Sequence, residues 1–62
     1  MKKSILVARL KKYKVQTEIS YENLSIELGY RSPMTSYSWI NKKRVPKRQY
    51  SFLDNFLNVR GF

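Results

Sequence analysis

The side chains able to do chemistry are few and one-sided. The chain has no His and no Cys, and its four carboxylates are Glu18, Glu22, Glu27 and Asp54. This removes imidazole bases, thiol nucleophiles and the usual zinc ligands. A nucleophilic Ser needs a base and an oxyanion site, and 62 residues leave little room for a pocket to hold them. Gly29 and Gly61 do not make a phosphate-cradling loop. We therefore expect no catalysis, no metal and no cofactor. What remains is positive charge: 13 Lys and Arg give a formal net charge of +9 and a pI near 10.2, which favours a polyanionic partner.

The charge is clustered. Lys2, Lys3, Arg9, Lys11, Lys12 and Lys14 lie in one block, and Lys42, Lys43, Arg44, Lys47 and Arg48 in another. Glu18, Glu22 and Glu27 fall between the two blocks. Most of the first block reads as a solvated helix face, with lysines near the helix C-terminus suiting its dipole. The second block is a basic exit that follows a polar helix.

Four short helices, or five, are expected to position these groups, in one all-α domain over residues 1–62. In the first (residues 4–16) Leu6, Leu10 and Tyr13 share a face, with Ile5 beside them. Ile19 precedes Ser20 and is placed to staple against Leu24. Ser20 is a candidate N-cap for a helix over 21–28, where Leu24 and Leu28 lie on one face and Glu22 meets the helix start. Gly29 ends it. Ser32 and Pro33 open the next helix, over 33–42, as cap and first residue. Pro46 holds Val45 extended, so that helix ends before it, and a last helix is expected over 47–58. Helix, Gly-containing turn and helix is a helix-turn-helix signature over about residues 20–44. No run approaches the ~20 apolar residues of a membrane span. The apolar run Ile5-Leu6-Val7-Ala8 is too short for a signal peptide, so a cytoplasmic protein is expected.

The stretch from Ser20 to Pro46 resembles the helix-turn-helix of the Cro and phage lambda repressor-like family. The resemblance rests on Leu24, Leu28, Gly29, Trp39, Asn41, Lys42-Lys43-Arg44 and Pro46, supported by Leu10, Tyr13 and Ile19. It covers roughly residues 5–58. Ser25 stands where the family usually has Ala, Ser36 where it buries Val or Ile, and Lys42 where Gly usually follows Asn. The gap from Gly29 to Trp39 is also one residue longer than usual. Two registers follow for the third helix: Ser36 and Trp39 inward, which also aligns Asn41 and Pro46, or Tyr37 and Ile40 inward.

The resemblance implies sequence-specific binding of double-stranded DNA by a small Cro-like transcriptional regulator, a repressor of phage or mobile-element type. With the third helix in the major groove, Ser32, Pro33, Met34, Thr35 and Ser38 face base edges, with Arg31 at the entrance. Tyr37 either lies at the margin of that set or joins the core. Asn41, Lys42, Lys43 and Arg44 stand where the family touches phosphate, with Lys47 beyond them. Tyr21, at a helix start, can meet another phosphate. Alternatives are a DNA-bending recombination accessory factor and a basic module acting on a nucleic-acid-binding partner.

The last helix carries two apolar stripes, Tyr50-Leu53-Leu57 and Phe52-Phe56-Val59. A small core needs one. The second stripe, with Phe62, is expected to form a homodimer on a two-fold symmetric operator, weak in solution and reinforced by DNA. The alternative is that both stripes pack inside one chain.

Overall fold

The computed structural model describes residues 2–62 and is all-helical. In chain order it has α1 (Lys3–Thr17), α2 (Tyr21–Glu27), α3 (Pro33–Asn41), a single 3-10 turn (Lys47–Gln49) and α4 (Tyr50–Val59). No helix among the described residues is long and apolar enough to cross a membrane. The four expected helices are present, except that the last begins as the 3-10 turn before becoming α-helical at Tyr50.

The core forms where one face of each helix converges. α1 buries Leu6, Leu10 and Tyr13 at the expected spacing and adds Val7, while Ile5 points outward. α2 contributes Leu24, with Leu28 just beyond its end. α3 contributes Trp39 and Ile40, and α4 contributes Leu53, Phe56 and Leu57. Each fully buried Leu adds roughly 1.5–3 kcal/mol before chain entropy is subtracted. α1 packs on both α3 and α4, and α2 packs chiefly on α3. Ile19 lies partly buried against the same core, before the Ser20 cap.

The helix ends follow from single residues. The Ser20 hydroxyl accepts from the Asn23 N–H at 3.1 Å, and the Ser32 hydroxyl accepts from the Met34 N–H at 3.2 Å. At the end of α2, the Gly29 N–H donates to the Ile26 carbonyl and the Tyr30 N–H to the Ser25 carbonyl. The end of α4 repeats this, with Gly61 N–H to Asn58 and Phe62 N–H to Leu57. Both glycines stand at the left-handed position these closures need, at φ +93° and +80°. Two non-glycine residues also take left-handed backbone, Glu18 just after α1 (φ 57°) and Lys43 just after α3 (φ 53°).

The register of α3 is settled by burial. Ser36, Trp39 and Ile40 face inward, and Tyr37 faces out. Ile40 is therefore buried together with Trp39, because positions three and four apart share a helical face. The two serines that depart from the family pattern meet each other. The Ser36 N–H donates to the Ser25 hydroxyl oxygen at 3.0 Å. The Ser25 hydroxyl donates to that of Ser36 at 2.8 Å, which donates in turn to the Tyr21 carbonyl at 2.7 Å. Both are fully buried, so a hydrogen-bonded chain stands at the two positions where the resembled family usually has Ala and Val or Ile.

Candidate nucleic-acid interface

The outward surface of α3 begins at Pro33 and Met34, runs through Tyr37 and ends at Asn41, with Thr35 and Ser38 half-buried beside it. Arg31 and Ser32 are exposed at its entrance. Lys42, Lys43 and Arg44 are exposed at its exit, and Lys47 lies beyond Pro46. The chain is held close to the helix end here: the N–H groups of Lys42 and Arg44 both donate to the Ser38 carbonyl, at 3.0 and 3.2 Å. Val45 then turns inward to the core, which leaves its basic neighbours outside. The side-chain positions expected on this surface thus lie along one helix and its two flanks.

Tyr21 links three helices at this surface. The Asn41 amide donates to the Tyr21 hydroxyl at 2.9 Å and to the Tyr37 carbonyl at 3.2 Å. The rings of Tyr21 and Tyr37 meet edge to face at 5.3 Å. From α1, the Lys14 ammonium lies 4.3 Å from the centre of the Tyr21 ring, a cation–π contact. Two consequences bear on the expected site. An amide nitrogen has two hydrogens, and both of Asn41's are engaged inside the chain. Asn41 therefore positions Tyr21 and Tyr37. The Tyr21 hydroxyl accepts from Asn41, and its own hydrogen remains available to an anion.

Lys14 is the residue that sequence reasoning missed. It reads as one more solvated lysine of α1, and only the fold brings it to Tyr21. Its distance from Asn41 in the chain hides the connection. The only local signal is its place near the C-terminal end of α1.

The arginines outside this surface have a different use. Arg9 donates to the Asp54 carboxylate at 2.7 Å, to the Asn58 side-chain oxygen at 2.6 Å and to the Phe62 carbonyl at 2.8 Å. Arg60 lies 3.6 Å from the centre of the Phe56 ring, donates to the Phe56 carbonyl at 3.0 Å and pairs with Glu27 at 3.8 Å. Glu27 also accepts from the Tyr13 hydroxyl at 2.7 Å. Burial, followed by this bond to a carboxylate, holds the Tyr13 phenol above its ordinary pKa. Among the described residues no lysine takes part in an ion pair.

The stripe expected to form a dimer surface is divided. Phe56 is only 5% exposed and packs edge-on against Tyr13 at 5.6 Å. Phe62 is partly buried against the same Tyr13 ring at 5.3 Å. Both therefore leave the proposed interface for the core of the single chain. Positions 53, 56 and 57 lie on one face of α4, wide enough to take an aromatic from the second stripe. Phe52 (44% exposed) and Val59 (74%) remain outside.

No cavity opens among the described residues, and none of their His, Cys, Asp and Glu side chains cluster in threes to hold a metal ion. Compared with known proteins, the chain matches no protein-family model, no curated protein and no solved structure.

Proposed function

We propose that this chain binds double-stranded DNA by placing α3 in the major groove, as a small Cro-like transcriptional regulator. The observation that carries the reading is the arrangement around α3. An exposed helix face is held on α2 by the buried Ser25–Ser36 chain and flanked by Arg31, Lys42, Lys43, Arg44 and Lys47. Phosphate contacts from these cations, from Lys14 and from the Tyr21 hydroxyl set affinity and orientation, and α3 selects the site. The regulatory role, and a repressor of phage or mobile-element type in particular, follow from the resemblance of residues 20–46.

One helix-turn-helix covers few base pairs, so two copies on a two-fold symmetric site are part of the proposal. Phe52 and Val59 are the exposed apolar side chains of α4 that a second copy would cover.

The test is duplex binding across a salt series, followed by selection of bound sequences from a random pool. The expected result is a log–log salt slope near −0.9 for each phosphate neutralised, with enrichment of a defined site. A salt-independent affinity, or a pool that remains random, contradicts the reading.

A further inference from the structure

The face that α3 presents offers hydroxyls, on Thr35, Tyr37 and Ser38, but no guanidinium or ammonium. Met34 is 53% exposed and Tyr37 is 39% exposed, one helical turn apart. No Arg, Lys or Gln occurs between Pro33 and Asn41. Asn41, the one amide side chain in α3, has both hydrogens on Tyr21 and Tyr37. Ser36 is buried and bonded to Ser25 and Tyr21. Bidentate recognition of guanine or adenine edges, which needs Arg, Lys, Asn or Gln, therefore has no agent on this helix. The apolar part is held in place: the Tyr37 ring abuts that of Tyr21, which is fixed by the Asn41 amide and covered by Lys14.

Only one group in the major groove suits such a face. The thymine C5 methyl is apolar, whereas guanine, adenine and cytosine present donors and acceptors there. Placing a polar edge against Met34 strips its water without replacing the hydrogen bonds, which disfavours guanine and cytosine at the same positions. We propose that the selected site is read through thymine methyl groups packed on Met34 and Tyr37. This inference rests on the DNA-binding reading above and names what that surface recognises. Arg31, at the helix entrance, is a guanidinium able to read guanine instead.

The experiment uses the full chain and a duplex selected from a random pool, with each thymine replaced in turn by deoxyuridine, which removes only the methyl. Binding is read by fluorescence anisotropy at constant salt. The expected result is two or more positions at which uracil weakens binding about fourfold, the equivalent of one buried methyl at about 0.8 kcal/mol. Met34→Ala, an exposed substitution, should abolish the uracil effect at one of those positions. A uracil-substituted site bound as tightly as the thymine site overturns the inference and leaves DNA binding standing. Loss of binding on replacing guanines alone points to Arg31 and overturns it too. A chain that binds no duplex at any salt overturns both readings.

Discussion

The two halves of this small domain use the same residue types for opposite ends. Where α1 meets α4, the charges are turned inward on the chain: Arg9 joins Asp54, Asn58 and the Phe62 carbonyl, and Arg60 covers Phe56 and reaches Glu27. Where α2 meets α3, the packing is done by short helices, two serines and a Trp, and the cations beside them have no acidic partner among the described residues. Besides the solvated lysines of α1, the net charge of +9 thus contains two distinct populations. One ties the ends of the chain together, and the other is exposed along one helix and its exit. Net charge alone does not distinguish one surface from another, whereas the division between these populations does.

The sharpest way to break this comparison is to charge the apolar side of the first half. Phe56→Lys buries an ammonium beside Tyr13 and should abolish the fold, read as loss of helical circular dichroism, because a domain of this size has only a few kcal/mol in reserve. Phe52→Lys, one helical turn away and exposed, should retain the fold. If two copies pair through α4, Phe52→Lys also removes the preference for a two-fold symmetric duplex, which sedimentation with that duplex would show.

Next in size is the cation exchange. Replacing Lys42, Lys43 and Arg44 together with Ala should flatten the salt slope of duplex binding by nearly three units if each meets one phosphate. Lys14→Gln should flatten it by up to one more. Arg9→Ala should leave the slope unchanged and lower the melting temperature instead. An equal effect of Arg9 and Lys43 on the slope would erase the distinction between the halves.

The buried serines give a smaller effect. Ser25→Ala leaves the Ser36 N–H without its acceptor and should cost about 1–3 kcal/mol. Ser25→Ala with Ser36→Val removes both hydroxyls and supplies apolar volume, and should recover part of that loss. The coupling can be read from a double-mutant cycle in urea. Additive losses would mean that the hydroxyl chain does not act as a unit.

The smallest effect is alkaline. Tyr13 has a raised pKa in the folded chain, so the folded state holds that proton more tightly than the unfolded state does. Its contribution is complete below the unfolded phenol pKa of about 10 and is lost as pH rises through the higher folded value. Wild type should therefore lose stability above about pH 10 more steeply than Tyr13→Phe, compared by urea unfolding at each pH.

Much of the fold was legible because it is written locally. Leu6, Leu10 and Tyr13 mark a face by spacing alone, and Ser20, Gly29, Ser32 and Pro33 mark helix ends through chemistry confined to a few residues. The candidate surface was legible as a set of positions, though not in its roles. Asn41 reads as a phosphate contact, and its hydrogen bond to Tyr21, twenty residues away in the chain, is not visible in the sequence. Phe56 and Phe52 are alike in the sequence, and which of them is buried depends on where α1 lies, as does the contact of Lys14 with Tyr21. Ser25 and Ser36 each look like a defect when read singly. Their value lies in a pairing that no single-position preference records.

Lys43 carries a last consequence, for anyone who improves this chain by selection. It adopts left-handed backbone at φ 53°, as does Glu18 at φ 57°, and such a conformation disfavours a residue with a β-carbon by about 1 kcal/mol. A library screened only for heat resistance should therefore converge on Gly or Asn at both positions. At Glu18, remote from α3 in sequence, the exchange is harmless. At Lys43 it discards a cation at the proposed groove, so a stabilised descendant would fold better and grip DNA less. Screening for heat resistance and binding together should instead retain the lysine.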